Sequence, residues 1–254
     1  MQAHSSLCNT RTHGSRNRYV SLGARVTAII VVLAGVIAIR TYNSQVRRGV
    51  MKQVIERKTC KAVDGVQIVY SVAGAGESAL VFIHGGLANR DFWHGELKAF
   101  ADRHRVIALD LPGHGDSGTN RQHWGIPQFG ADVRAVIEAE HVENAILFGN
   151  SLGGPVAIEA ALLIPEKILA VVGVDTFQRL TYKITPEEAQ RLTDEFRTNY
   201  SAALSRMVKA LFHSDADPAV ISDAESRMSR ISPEAAYRMF LSLGDYDPSV
   251  SARH

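Results

Sequence analysis

A serine stands at the centre of a glycine-flanked pentapeptide, Gly149-Asn150-Ser151-Leu152-Gly153. An apolar run typical of a buried strand precedes it, and a segment with helical character follows. Glycine on both sides lets the chain turn sharply and expose the serine hydroxyl, while the following helix directs backbone N–H groups toward a developing oxyanion. The pattern therefore predicts that Ser151 is a nucleophile on a strand-to-helix turn. The alternative is a glycine-rich structural turn in which the serine has no catalytic role.

A second glycine pair has a position suited to the same chemistry. His84-Gly85-Gly86 follows the apolar run from Ala79 to Ile83. A loop after such a strand supplies a backbone donor for the oxyanion in hydrolases with a serine on a turn of this kind. We expect the N–H groups of Gly86 and Leu152 to form the donor pair. His84 is predicted to anchor the loop rather than to act as a base.

The elements that position these residues alternate between strand and helix. A hairpin is predicted around the turn Asp64-Gly65, and buried strands and amphipathic helices then alternate, which indicates an α/β fold with a mostly parallel sheet covered on both faces. The predicted strands are Thr59 to Val63, Val66 to Ala73, Ala79 to Ile83, Val106 to Leu109, Ala145 to Phe148 and Ile168 to Val174, and the helices are Asp91 to Ala101, Pro127 to Ala139 and Leu152 to Leu163.

The segment after residue 175 has a different character. Charged, alanine-rich helical patterns run from Pro186 to Leu211, from Pro218 to Arg230 and from Pro233 to Leu243. Each begins with proline, which is favoured in the first helical turn. We predict a helical cap over residues 176–245, following a catalytic core over residues 58–175.

Three motifs together resemble the α/β-hydrolase superfamily, in its serine esterase, lipase and C–C hydrolase branch. They are His84-Gly85-Gly86, the turn-rich run from Asp110 to Ser117, and Gly149 to Gly154. The resemblance implies acylation of Ser151 with the help of a histidine, followed by attack of water. Serine rather than aspartate at the turn argues against the epoxide hydrolase and haloalkane dehalogenase branches. His114, within the second motif, is interpreted as structural.

The resemblance also implies an acid and a histidine beyond the cap, after a seventh and an eighth strand. Only residues 246–254 follow the cap, so the C-terminal core strands are expected to be missing and the tail to be truncated. Asp175, directly after the sixth strand, is a candidate acid, with a loop-capping aspartate as the alternative. His254 comes last in the expected order but has no strand ahead of it.

An apolar run near the N-terminus, Val26 to Ile39, contains no charged residue, and its extension back to Leu22 admits only Arg25. Residues 22–39 are long enough to approach a membrane span, between a basic segment at 1–21 and a linker at 40–57. Because a small-residue cleavage site is lacking, we favour a single-pass anchor. A cleaved signal sequence, which would make the protein secreted, is the alternative.

The composition and charge of the chain limit the classes of partner and cofactor to be expected. A net charge of +2 over 254 residues does not suggest a nucleic-acid partner, and Cys8 and Cys60 are expected to be unpaired thiols without metal-ligand spacing. No metal or cofactor is predicted. The expected activity is hydrolysis of a small-molecule ester or related acyl compound; the alternatives are a catalytically degenerate binding protein and a truncated product lacking the histidine.

Overall fold

The computed structural model describes residues 54–176, 184–247 and 251. Six strands form one sheet in the order β1-β2-β4-β3-β5-β6. Their bounds are β1 (Glu56–Lys61), β2 (Gln67–Ala73), β3 (Ser78–Ile83), β4 (Arg105–Leu109), β5 (Asn144–Asn150) and β6 (Ile168–Val174). β2 pairs antiparallel with β1 and β4, while the pairs β3–β4, β3–β5 and β5–β6 are parallel. The predicted α/β class with a mostly parallel sheet is confirmed.

The first strand lies earlier in the chain than predicted. The pattern placed it at Thr59 to Val63, whereas β1 starts within the predicted linker and pairs Glu56 with Val72. Extended pairing along the whole of β2 accounts for this shift, because each added residue of β1 gains a ladder partner.

Three helices flank the sheet: α1 (His94–Phe100), α2 (Ile126–Ala139) and α3 (Gly153–Leu163). A short 3-10 helix, Arg90–Trp93, forms the start of the segment predicted as one helix from Asp91. Along β3, Val81 and Ile83 join one buried apolar cluster, and Leu80 and Phe82 join another. Since successive side chains of a strand point to opposite faces, this alternation shows that β3 is covered on both faces.

The described residues from 184 to 247 contain four helices: α4 (Pro186–Thr198), α5 (Tyr200–Ala210), α6 (Pro218–Met228) and α7 (Pro233–Gly244). The single helix predicted from Pro186 to Leu211 is therefore wrong, because Asn199 divides it. Asn199 has φ −152° and ψ 85°, and its side chain accepts a hydrogen bond from the N–H of Ala202, which caps α5. Asparagine is a strong N-cap, and this local bond competes with continuation of the helix.

The predictions for residues 1–21 and 22–39, and for Cys8, lie outside the described residues, as do His254 and most of residues 40–57. No helix in the described ranges is long and apolar enough to cross a membrane. Cys60, which is described, is a free thiol. The expectations for the N-terminal segment and for the C-terminal end stay predictions.

Candidate active site

Ser151 occupies the turn between β5 and α3. β5 ends at Asn150, α3 begins at Gly153, and Ser151 itself has a φ of 48°, in the left-handed region that a residue with a side chain rarely adopts. Its N–H donates to the carbonyl oxygen of Val174 at 3.1 Å, and the Asn150 side-chain amide donates to the same oxygen at 3.0 Å. The end of β6 thus holds the turn, and Ser151 stays exposed.

The glycines around Ser151 are required by close backbone approach. A Cβ at Gly149 would overlap the carbonyl oxygen of Gly153. A Cβ at Gly153 would lie 2.8 Å from the carbonyl oxygen of His84 and 2.5 Å from that of Ile83. Because backbone atoms that are fixed in a strand or a helix cannot move aside at low energetic cost, both positions need glycine. The close approach at Gly153 also shows that the start of α3 packs against the end of β3.

The loop after β3 runs beside the serine. A Cβ at Gly85 would lie 3.4 Å from the Cβ of Ser151, and one at Gly86 would lie 3.8 Å from Cδ2 of Leu152. Gly86, Leu152 and Ser151 all line one cavity. The two residues expected to donate to the oxyanion therefore line the same cavity as Ser151.

His84 and His114 lie beneath this loop and are buried. The Nε2 of His84 accepts from the N–H of Leu111 at 3.0 Å, and its Nδ1 lies 2.7 Å from the carbonyl oxygen of Gly85. His114 Nδ1 is 3.2 Å from the carbonyl oxygen of Pro112. Burial lowers the pKa of His84 to about 4 and that of His114 to about 3. Both rings are therefore neutral at pH 7 and hold loops, as expected for loop anchors.

A buried ion pair fixes the far end of the same loop. The Asp110 carboxylate accepts from the N–H of Arg90 at 2.7 Å and from the N–H of Asp116 at 2.9 Å, and it also pairs with the Arg90 guanidinium. Asp110 is fully buried. The turn motif that contains Asp110 does not predict its partner, because the two residues are 20 positions apart and no local pattern connects them.

The cavity that Ser151 faces has a volume of about 470 Å³ and is mostly apolar. Asp175 is the charged residue among those that line it, and no histidine is among the described residues of its lining. The main apolar side chains come from the loop after β3 and from the helical segment: Leu87, Phe92, Met207, Leu211, Met228, Met239, Phe240 and Leu243. The walls therefore suit an uncharged group.

Strained backbone concentrates around this cavity. Four described residues other than glycine have positive φ, and three of them, Leu87, Ser151 and Asp175, line the cavity. Asp175, at the end of β6, has a φ of 48°. Such conformations persist where the surrounding structure holds them, and they cluster at functional sites.

The helical segment is attached to the core next to the cavity. Arg230 pairs with Asp91 at 3.1 Å and with Asp116 at 3.3 Å. The Asn89 side chain donates to the carbonyl oxygen of Arg227 at 3.3 Å. Asn89 and Asp91, which follow the loop beside Ser151, therefore form a docking point for the end of α6.

In the described part of the chain, no group of three or more His, Cys, Asp or Glu side chains is placed to hold a metal ion. A wider open groove of about 910 Å³ lies between α4 and α5, and its lining includes none of Ser151, Gly86, Leu152 and Asp175.

Comparison with known proteins agrees with this geometry. The model of the alpha/beta hydrolase fold family matches residues 78–230, more than half of the 254-residue chain. The chain belongs to the α/β-hydrolase family. This α/β-hydrolase also resembles an esterase from Exiguobacterium antarcticum, with a TM-score of 0.70 at 20% sequence identity over 77% of this chain and 76% of the other. At that identity the likeness shows the fold.

Two curated relatives match at higher identity over shorter stretches. The dihydrolipoyllysine-residue acetyltransferase component of the acetoin cleaving system of Cupriavidus necator is 36% identical over 109 residues, covering 43% of this chain and 29% of the relative. The pimeloyl-[acyl-carrier protein] methyl ester esterase of Aeromonas hydrophila is 38% identical over 96 residues, covering 37% of this chain and 36% of the relative. The matched region therefore spans about a third of the curated relatives' length.

Proposed function

We propose that this α/β-hydrolase is a serine hydrolase that cleaves an ester or related acyl compound through an acyl-enzyme on Ser151. The observation that carries the proposal is the strained Ser151, at φ 48°, exposed to an apolar cavity that Gly86 and Leu152 also line. A relative whose name describes a methyl ester esterase supports the same class of reaction.

The chemistry follows from this arrangement. Ser151 Oγ forms a bond to the carbonyl carbon as its proton passes to a base, and the carbonyl electrons move onto the oxygen. The N–H groups of Gly86 and Leu152 stabilise that oxyanion; loss of one such donor costs roughly 10²–10³-fold in rate. The carbonyl then re-forms, the alcohol leaves with a proton, and water hydrolyses the acyl-enzyme.

We propose Asp175 as the acid of the catalytic triad, the carboxylate that orients the histidine base. Its place at the cavity beside Ser151 supports this role. Replacing it by asparagine keeps the shape and removes the charge. The acid of a serine triad orients the histidine base and stabilises its charge, and replacing it by asparagine costs about 10⁴-fold in a serine protease. We therefore expect Asp175→Asn to slow acylation by at least about 100-fold. The control is Asp194→Asn on α4, away from the cavity, which should leave the rate unchanged. Equal rates for the two variants would assign Asp175 to loop capping.

A second candidate function is that of a hydrolase-like binding protein. The observation that favours it is the lack of a histidine among the described residues that line the cavity. A serine without a base keeps an unperturbed hydroxyl, which is a weak nucleophile at neutral pH. Such a protein would bind an apolar acyl compound without turnover.

A fluorophosphonate with a fluorescent reporter separates these functions. The 254-residue chain should be labelled, Ser151→Ala should not, and Ser201→Ala, which changes an exposed serine on α5, should be labelled normally. Equal labelling of all three would contradict the nucleophile proposal. Binding of an apolar acyl compound with neither labelling of Ser151 nor ester turnover would favour the binding protein.

We further propose that residues 22–39 anchor the protein in a membrane, with a cleaved signal sequence as the alternative. The apolar run supports this proposal, since Arg25 is the one charged residue from Leu22 to Ile39. Carbonate extraction of membranes should leave the protein in the pellet. Release of a shortened chain into the medium would support the secreted form instead.

A further inference from the structure

Met239, on α7, covers the loop that carries Gly86. A Cβ built at Gly86 would lie 3.4 Å from Cε of Met239 and 3.5 Å from its Sδ, with Cδ2 of Leu152 next at 3.8 Å. Met239 is only 1% exposed. The methionine thioether therefore fills the space beside Gly86, in the cavity that Leu152 also lines.

This position limits what can be attached to the reacting carbonyl. The carbonyl oxygen has to approach the donor N–H groups to about 2.7–3.1 Å, so the carbon next to the carbonyl must also lie close to Gly86 and Leu152. A hydrogen on that carbon needs little room. A second carbon substituent there would compete with the Met239 thioether for space.

We propose that Met239 is a specificity-determining residue, which restricts the acyl group to apolar chains that are unbranched at the carbon next to the carbonyl. This inference rests on the proposed function of Ser151. The rest of the cavity lining supports an apolar chain, because Met207, Met228 and Leu211 continue the wall and Asp175 is the charged residue among the lining side chains. Methionine is adaptable along its length, so the restriction applies at Gly86 and not along the whole chain.

Two phosphonofluoridates with the same number of carbons test the proposal, one carrying n-hexyl on phosphorus and the other cyclohexyl. In each reaction Ser151 Oγ bonds to phosphorus, fluoride leaves, and the serine proton is released to the buffer. Phosphorus stands for the carbonyl carbon, and the attached carbon stands for the first carbon of the acyl chain. The measurement is the second-order rate constant for labelling of the 254-residue chain by each probe.

The n-hexyl probe should react faster with the unchanged chain. Met239→Ala should raise the ratio of cyclohexyl to n-hexyl rate constants by about tenfold or more, since one carbon in a packed pocket is worth roughly 10–200-fold. Met239→Leu, which keeps the volume, should hold the original ratio. Because truncation of a buried methionine can destabilise a core, Met239→Val provides the same test with a smaller cavity, and thermal melting verifies folding of each variant.

Met228→Ala is the matched control. Met228 lines the same cavity and is also buried, but it contributes none of the three heavy atoms nearest to a Cβ built at Gly86. It should change both rate constants alike and keep their ratio. The inference about Met239 is overturned if Met228→Ala raises the ratio as much as Met239→Ala does. It is also overturned if neither Met239→Ala nor Met239→Val raises the ratio in a folded protein. In both cases the serine hydrolase proposal stands. If no probe labels Ser151, both fall together.

Discussion

Removal of the Asp110 carboxylate should destabilise the protein far more than removal of its neighbour Asp116. Asp110 is fully buried and accepts two backbone hydrogen bonds in addition to the Arg90 guanidinium. Breaking a buried pair by removing one partner costs about 3–5 kcal/mol. In Asp110→Ala, Arg90 keeps only the partly exposed Asp116 as a counter-ion, and two backbone N–H groups lose their acceptor. The Asp116 side chain is 34% exposed and shares Arg90, Arg57 and Arg230 in partly solvated pairs. Such pairs contribute about 0–1 kcal/mol each.

The expected difference is large enough to measure by thermal unfolding. For a chain of this size, 1 kcal/mol shifts Tm by about 2–4 °C. Asp110→Ala should therefore lower Tm by roughly 6–20 °C. Asp116→Ala loses three partly solvated pairs, and at about 0.5 kcal/mol each it should lower Tm by roughly 3–6 °C in total. Both variants remove a carboxylate from the same turn, so local propensity does not separate them.

A functional consequence should accompany the loss of stability. Arg90 follows the loop that carries Gly86, and Asp110 holds its N–H. Asp110→Ala should slow fluorophosphonate labelling of Ser151 even below its unfolding temperature, whereas Asp116→Ala should not. The double variant Arg90→Met with Asp110→Leu should recover only the part of the stability that the buried guanidinium costs, because apolar replacement of a buried pair is often neutral. The N–H groups of Arg90 and Asp116 still lack their acceptor in this variant. Unfolding free energies of the two single variants within about 1 kcal/mol of each other would refute the reasoning.

Two further predictions concern the loops around the serine. Burial lowers the pKa of His84 to about 4 and of His114 to about 3 from an ordinary 6.5, so the neutral rings stabilise the fold fully above pH 6.5 and less as the pH falls toward 4. In that window each ring lowers the free energy of unfolding by at most about 1.4 kcal/mol per pH unit. Urea unfolding at several pH values should show this loss, and His114→Asn should reduce the slope of the free energy of unfolding against pH. Gly149→Ala, whose Cβ would overlap the backbone of Gly153, should abolish labelling of Ser151, whereas Gly95→Ala, with no atom within 4 Å, should be labelled normally; normal labelling of both would contradict the packing argument.

The sequence was sufficient to predict features that depend on local patterns. The apolar run from Ile168 to Val174 matches β6 residue for residue, and the glycines around Ser151 sit at the turn between β5 and α3. Buried parallel strands leave near-continuous apolar runs, and sharp turns need glycine, so both leave a signal in the sequence.

Features that depend on contacts between distant residues could not be predicted in this way. Met239 lies over Gly86 although more than 150 positions separate them in the sequence. Helical periodicity places Met239 on a buried face but does not say which part of the core that face covers. One local signal was also missed: Asn199 divides the helical segment through a capping bond to the N–H of Ala202, and the N-cap preference of asparagine was the clue to it.

The most direct test of the central claim is the site of covalent modification by a fluorophosphonate. Cleavage after lysine and arginine gives a peptide spanning residues 135–167, in which Ser151 is the sole side chain with a hydroxyl group. Mass spectrometry of the labelled 254-residue chain should find the phosphonyl group on this peptide, with fragment ions that place it at Ser151. Modification confined to other peptides, or none on this peptide at saturating probe, would contradict the claim that Ser151 is the nucleophile.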